Sequence, residues 1–463
     1  MTELDCDVAV IGAGTAGLAA ERHARQAGAR TVIIDPAWAG TTCALVGCMP
    51  SKLLIAAGGA AHAVSSAARF GIEATPMIHG EAVMQRVQRL RDDFVNSTRK
   101  SFDDIPESAR IAATARFTGP NTLSLSDGRQ VRAKAIVIAT GAKTIIPKGF
   151  DGLGDRLLTN ETVFDLKDLP ASLAVIGAGP QGMELAQAFA RLGVRVEVFD
   201  KGGSVAGLQG DDADSFVAML EPSIPVHLNV DVSAEAGDEV TIRAGDHEAR
   251  FSHVLVSAGR APALGGLDLT AAGLEVDDHG TPLFDKQTMQ CGRAPIFIAG
   301  DANHDRAVLH EATSEGSVAG ANAAAFPDVR RSRRKVPLAI AFTHPQVAQI
   351  GTPPEGDDSR VAEASWSDQG RARVDGHAHG FARLHSDGEG RICAATLCMP
   401  DAEHLAHYFA LAITAGMTAG DLLDQPIYHP TLEEGVKKAL QGICAACALK
   451  VPWDRGTGFQ PGD

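Results

Sequence analysis

Two cysteines, Cys43 and Cys48, stand five apart in the stretch Gly-Thr-Thr-Cys-Ala-Leu-Val-Gly-Cys-Met-Pro-Ser-Lys that ends at Lys52. A pair at this spacing can close a small disulfide loop and reopen it, so the chemistry on offer is a two-electron relay, with one thiolate lying beside a bound redox group. Taken alone, the spacing reads better as two buried cysteines, because free cysteine is among the most buried residue types. Cysteine usage in the whole chain shifts that balance. Eight cysteines in 463 residues are no secreted disulfide framework, and in a reducing compartment a disulfide is more often transient and catalytic than structural. A second group with chemistry is His429, in Tyr-His-Pro-Thr-Leu-Glu-Glu near the end of the chain. Glu434, in the first turns of the helix expected there, can orient the imidazole and raise its basicity, which would make a thiol-activating base near neutral pH.

These side chains need elements to hold them, and the sequence supplies the elements in order. Val8 to Ile11 reads as a buried strand that turns at Gly12, Gly14 and Gly17 into a helix, and a second strand, Thr31 to Ile34, ends on Asp35. Gly12 would permit the tight turn, Gly14 would let a pyrophosphate approach the backbone, and Gly17 would let the helix pack on the strand. A diphosphate would then meet the free amides of the helix start, and Asp35 could accept hydrogen bonds from a ribose. The same unit returns as Leu173 to Asp200, with Gly177, Gly179 and Gly182 at the same spacing and the same interval to the terminal aspartate. Two such units imply two dinucleotides. Asp200 opposes a 2′-phosphate by charge, so NAD is expected over NADP, with Lys201 beside it read as a solvated loop lysine.

Two further strand ends echo one another, Ala135 to Ala142, with Thr140 and Gly141, and His253 to Arg260, with Gly259. They are expected to mark crossovers between domains. Ile296 to Asp301 is a strand ending in Gly-Asp, which puts a carboxylate where it can meet a cofactor hydroxyl. Ile78 to Phe102 carries Val87, Leu90 and Phe94 at helical spacing and is expected to be ordinary core. Pro327 to Lys335 reads as a charged linker or surface loop. Beyond it, Gly380 to Leu384 and Arg391 to Leu397 are strand-like, and no third glycine fingerprint follows.

Composition narrows the partners. With 57 acidic against 42 basic side chains the formal charge is −15, and no run of Lys and Arg is concentrated enough to hold a nucleic acid. The sequence shows no apolar run expected to span a membrane and no signal peptide ahead of Val8, so neither a membrane nor a nucleic acid is expected as partner and a cytoplasmic protein is. No resident metal is expected.

Gly12, Gly14, Gly17 and Asp35, then Cys43 to Lys52, Ala-Thr-Gly141, the second fingerprint ending in Glu184, Gly300-Asp301, and His429 to Glu434 together resemble the pyridine nucleotide-disulfide oxidoreductases. Within that family the pattern is most similar to the dihydrolipoyl dehydrogenase branch, over essentially the whole length. The resemblance implies an α/β fold with two Rossmann-like dinucleotide-binding domains and a C-terminal α+β dimerisation domain. Its divisions would be an FAD domain at 1–146, an NAD domain at 147–264, a central domain completing the FAD site at 265–334, and a dimerisation domain at 335–463.

The same resemblance assigns roles. Gly12, Gly14, Gly17 and Asp35 would hold the adenosine half of FAD, with Thr42, Lys52, Thr140 and Gly141 also at that cofactor and Asp301 at its ribityl and pyrophosphate region. Gly177, Gly179, Gly182, Asp200 and Gly259 would hold NAD. Cys48 would lie next to the flavin and Cys43 would exchange with substrate. Lys52 would pair with Glu184, and His429 with Glu434 would complete the partner subunit's site in a homodimer. The implied substrate is a lipoyl-bearing protein or a small disulfide. Reduction of another disulfide or of mercuric ion with NADH or NADPH is the alternative, and a redox-idle flavoprotein scaffold a remote one. Three features depart from the family: Pro180 and Gln181 where an aromatic residue often covers the nicotinamide site, Thr41 where glycine is common, and the pair Cys444 and Cys447, which stands where relatives that reduce thioredoxin or mercuric ion carry a second redox relay near the C-terminus but reads better here as helix packing.

Overall fold

The computed structural model describes residues 3–221, 223–356 and 358–449. Its first sheet is built on the strand Glu3–Ile11, which runs parallel to Thr31–Ile34 on one side and to Gln130–Ile138 on the other. The chain therefore leaves the first strand in one direction and returns on the opposite side, which opens a crevice at the carboxyl ends of these strands. Ile296–Ile298 adds to the free edge of Gln130–Ile138, so a segment far along the chain completes the first sheet. The carboxyl-terminal halves of these strands are apolar, with Val8, Ala9, Val10, Ile136, Val137 and Ile138 fully buried, as parallel strands covered on both faces must be.

The second sheet repeats the plan. Ser172–Ile176 lies between Arg195–Phe199 and His253–Val256, all parallel, with Val226–His227 and Leu157–Leu158 at the edges. A three-stranded antiparallel ribbon, Val232–Glu235, Val240–Ala244 and His247–Phe251, stands beside it. The two echoed strand ends lead into strands that pair with each other: Ala142–Thr144 lies antiparallel to Arg260–Pro262, so the chain leaves the first unit and re-enters it along one two-stranded bridge. After it, five antiparallel strands, Leu338–Ala341, Gln346–Gly351, Ile392–Met399, Phe381–Ser386 and Arg360–Ser365, form a third sheet backed by the helices Ala402–Ala415 and Lys437–Ala446.

Three sequence expectations need correction. The helix in the Ile78 to Phe102 stretch runs Gly80–Lys100 and buries Met84, Val87 and Val95, while Phe94 is 40% exposed. Val95, one residue on, occupies the inward place because the face that meets the core turns with the helical period. The segment Pro327 to Lys335 is more than a linker. Arg334 pairs with the almost fully buried Glu311 and Glu315 at 3.0 and 2.7 Å. Glu315 in turn accepts from the Gly300 amide at 2.8 Å and from the Asn303 side chain at 2.7 Å, so the arginine helps pin the Gly300-Asp301 turn. Burial, ahead of these partners, pushes the Glu315 carboxyl up. Finally, Thr42–Ser65 is long and apolar enough, by length and composition, to cross a membrane, with a mean hydropathy of 1.5. Its apolarity comes from leucine, isoleucine and valine together with alanine, and Gly58 lies against the backbone of Ala188 in the neighbouring helix.

A close backbone approach between two helices holds the first sheet's covering layer together. Helix Thr15–Gln26 crosses helix Leu309–Ala325 so tightly that a Cβ on Gly320 would stand 2.1 Å from the Ala20 carbonyl oxygen. Gly320→Ala must push these helices apart, at a cost of about 1–3 kcal/mol, and should lower the thermal midpoint followed by circular dichroism by several degrees. Gly59→Ala, with open space where the Cβ would go, should leave it unchanged or raise it. Equal midpoints for the two variants would contradict the close crossing.

Candidate functional site

The cysteine segment folds as two helices separated at Gly47, Thr42–Val46 and Cys48–Ser65. Thr41 caps the first, its hydroxyl accepting from the Ala44 amide at 3.5 Å, which accounts locally for threonine at that position. Cys48 begins the second helix, where Pro50 is tolerated in the first turn and the Ser51 hydroxyl donates to the Cys48 carbonyl at 3.0 Å. Cys43 and Cys48 are both free thiols here. A hydrogen bond from Cys43 lowers the Cys48 thiol to about 6 against the opposing effect of burial, and the Lys52 ammonium lowers it further. The same hydrogen bond, then burial, pushes the Cys43 thiol far up. Both directions favour Cys48 over Cys43 as the thiolate of the reduced pair.

One helical turn beyond Cys48, Lys52 reaches across to the helix Pro180–Arg191. Its Nζ lies 2.7 Å from Glu184 Oε2, and Glu184, only 5% exposed, accepts from the Phe342 amide through its other oxygen at 2.8 Å. The ammonium also sits 4.3 Å from the centre of the Phe342 ring. The structure thereby brings Cys43, Cys48, Lys52 and Glu184 into one constellation.

The two glycine turns are alike in detail. Gly12 and Gly177 have φ of 105° and 114°, and a Cβ on either would meet a carbonyl oxygen at 2.3 Å, on Ala139 and Ser257. Gly14 and Gly179, by contrast, face open space where a diphosphate would pass, while Gly17 and Gly182 pack under the turns. Asp35 Oδ2 accepts from the Ala13 amide at 2.9 Å and Asp200 Oδ2 from the Ala178 amide at 2.7 Å, so each carboxylate ties its strand end to its turn; Asp35 Oδ1 also accepts from the Ala37 and Trp38 amides and Asp200 Oδ1 from the Gly202 amide, which leaves each carboxylate acceptor capacity for a ribose. Beside the first turn lies a cleft of about 630 Å³ lined by Gly12, Asp35, Thr140 and Lys143. Thr140 Oγ1 is buried there with no hydrogen-bond partner among the described residues, the mark of a hydroxyl that a ligand would satisfy. The residues fit the adenosine end of FAD. Beside the second turn a cleft of about 670 Å³ is lined by Gly177, Gly179, Pro180, Gln181, Asp200 and Gly259. Pro180 takes the first helical position, where its missing amide costs nothing. Lys201 pairs with Asp231 at 3.1 Å, both on the surface. Thr42 opens the short helix before Cys43, and Gly141, with φ of 70°, opens the bridge strand after Thr140.

His429 Nδ1 lies 2.9 Å from Glu434 Oε2, with the imidazole 64% exposed and the carboxylate 14% exposed. This pair stands on the third sheet's side of the chain and its histidine meets solvent rather than Cys43. Cys444 is fully buried, and Cys447 packs beside the Ser386 hydroxyl and the Asp387 carbonyl. Two residues without an assigned role also shape the site. Asn160 accepts from the Thr144 hydroxyl at 2.6 Å and donates to the Val46 carbonyl at 3.2 Å, clamping the end of the cysteine loop to the bridge. Nothing local to a lone asparagine signals this. Arg260 Nη1 binds Asp301 Oδ2 at 2.6 Å and its Nη2 the Ala142 carbonyl at 2.7 Å. An arginine directly after a buried strand and glycine was the available signal.

Comparison with known proteins agrees with this geometry. Residues 6–316 match the family model described as pyridine nucleotide-disulphide oxidoreductase, and residues 337–440 match the dimerisation domain of the same family. A dihydrolipoyl dehydrogenase of Halobacterium salinarum is 29% identical, over 94% of this chain and 95% of its own. A mercuric reductase of Acidithiobacillus ferrooxidans is 31% identical, over 94% of this chain and 82% of its own. In fold, an HOCl-induced flavoprotein disulfide reductase from Escherichia coli superposes with a TM-score of 0.81 at 22% identity, covering 95% of this chain and 99% of that one. With both halves of its length matched and the paired glycine turns on either side of the cysteine helix, the chain belongs to the pyridine nucleotide-disulphide oxidoreductases.

Proposed function

We propose that this flavoprotein oxidoreductase is a dihydrolipoyl dehydrogenase, oxidising dihydrolipoyl groups on a partner protein and reducing NAD. The observation that carries the relay is the placement of Cys43 and Cys48 at the head of the helix whose Lys52, one turn on, pairs with Glu184 at 2.7 Å, where Cys43 and then Lys52 lower the Cys48 thiol. FAD, when bound, accepts an electron pair from a neighbouring thiolate and returns it as hydride to nicotinamide. Gly12, Gly14, Asp35 and Thr140 would hold its adenosine half, and Asp301, oriented by Arg260, its ribityl region. Asp200 supports NAD over NADP, since its carboxylate would repel a 2′-phosphate and Lys201 is already paired with Asp231. The dimerisation domain supports a homodimer. In it the partner subunit's His429, oriented by Glu434, would take the proton of a dihydrolipoyl thiol. That thiolate attacks Cys43 in the Cys43–Cys48 disulfide and releases Cys48 as thiolate. The second substrate thiol then displaces Cys43 and leaves as the cyclic disulfide. A cytoplasmic setting goes with this reading.

The mercuric reductase relative favours a second reading, reduction of mercuric ion. A C-terminal relay for it would need accessible thiols, and Cys444 lies in the core of the third sheet and its helices.

Anaerobic titration of the flavin-loaded protein should produce a long-wavelength charge-transfer band with NADH and with dihydrolipoamide. A band with NADH alone would overturn the lipoyl assignment and turn attention to mercuric ion or another disulfide. Lipoamide turnover should fall at least ~1000-fold in Cys43→Ser and in Cys48→Ser, and near-normal turnover in either would sink the relay. The band also depends on pH in a stated direction. Above about 6 Cys48 is a thiolate, and below it the thiolate takes up a proton, so the band of the reduced protein should fade as pH falls through about 6. Lys52→Met removes a charge that lowers this thiol, and should move the midpoint upward.

A further inference from the structure

The second sheet and the ribbon beside it bring together three side chains of types that can ligate a metal, apart in sequence and outside the redox site. Glu197 is in the strand Arg195–Phe199, His227 ends the neighbouring strand Val226–His227, and His247 begins the ribbon strand His247–Phe251. Glu197 Oε2 lies 2.8 Å from His247 Nε2 and 3.3 Å from His227 Nε2, and the ligand atoms of all three fall within 4.8 Å of one another. The two imidazoles are stacked, with ring centres 4.5 Å apart, so both Nε2 atoms converge on the same carboxylate oxygen. Glu197 Oε1 faces Arg195 Nη1 at 3.5 Å, which fixes the carboxylate from its other side. Glu197 is 13% exposed and the histidines 27% and 39%, so the cluster is sheltered yet open to solvent on one side.

Hydrogen bonds from two neutral imidazoles to one oxygen would satisfy this cluster, but they leave unexplained why three strands converge two nitrogens and an oxygen at ligand spacing. Donors about 2.0–2.1 Å from a tetrahedral ion stand a little over 3 Å from each other. Two imidazoles and one carboxylate suit zinc, copper or nickel rather than magnesium or calcium.

We propose that Glu197, His227 and His247 form a site for a borderline divalent transition ion, with zinc as the reference case and one position left to solvent, and that occupancy is linked to the nucleotide cleft. The link runs through a short path. The His227 ring stacks on Phe199 at 4.8 Å, the Asp200 amide donates to the His227 carbonyl at 2.9 Å, and Phe199 and Asp200 both line the second cleft. An ion that fixes His227 therefore fixes the strand edge carrying Asp200. The link rests on that cleft being the nucleotide site, whereas the ion site does not.

The test is calorimetric titration of Zn²⁺ into the flavin-loaded, EDTA-dialysed protein with Cys43 and Cys48 oxidised, so that these thiols are not ligands. One equivalent should bind, and His247→Gln and His227→Gln should each weaken it at least ~10-fold. His377→Gln should not, although His377 belongs to a separate imidazole pair with His344, 3.1 Å apart. Circular dichroism of the variants guards against unfolding. Unchanged zinc affinity in both His227→Gln and His247→Gln, or loss in His377→Gln alone, overturns the site. Zinc should also change the NADH dissociation constant at least ~3-fold in the parent protein and not in His247→Gln. Equal NADH affinity with and without zinc overturns the link and leaves the ion site standing, and failure of NADH to bind at all would count against the nucleotide reading instead.

Discussion

The ion pair between Lys52 and Glu184 is the constraint around which the rest is arranged. A carboxylate only 5% exposed is costly to bury, and it is stable here because Lys52 and the Phe342 amide occupy both of its oxygens. Those three partners come from three places: the helix that starts at Cys48, the helix that starts at the second glycine turn, and the chain leading out of the third sheet's first strand. Displacing Lys52 leaves a buried charge uncompensated, typically worth several kcal/mol. The cysteines are thereby kept at a set distance from the second cleft, and the ammonium that steadies Glu184 also stabilises the Cys48 thiolate.

Around this pair the chain uses one design twice. Each parallel sheet opens a crevice where its strand order reverses, each has a glycine turn closed by an aspartate, and the two are joined by one antiparallel bridge between Ala142–Thr144 and Arg260–Pro262. Asn160 ties that bridge to the cysteine loop, and Arg260 ties it to Asp301. The route between the two halves is therefore also the support for groups on both sides of the redox pair.

Much of this was legible in the sequence because it depends on short-range rules. A glycine turn needs residues at fixed spacing, a parallel strand needs an apolar run, and a strand-end aspartate needs only its place in the order, so both units could be read at residue level. The Lys52 and Glu184 pairing was reachable through the family resemblance. What escaped depends on contacts between distant segments. Arg334 looked like part of a charged loop, and only the fold shows it inserted between Glu311 and Glu315. Phe94 and Val95 differ by one residue, and which turns inward depends on the angle at which the helix docks. The apolarity of Thr42–Ser65 is easy to overlook in the sequence because its leucines, valines and isoleucine are scattered among alanines, glycines and a lysine instead of standing in one run.

The unequal cysteines have a consequence for proton uptake. With Cys48 ionised above about 6 and Cys43 protonated well beyond neutrality, opening the disulfide at pH 7 takes in two electrons but only one proton. The reduction potential of the pair should then fall by about 30 mV for each pH unit, half the slope of a dithiol that binds two. Slightly acid conditions restore the second proton and the steeper slope. In this protein the balance between thiols and nicotinamide would consequently be less sensitive to alkalinity than that of a free dithiol in the same solution.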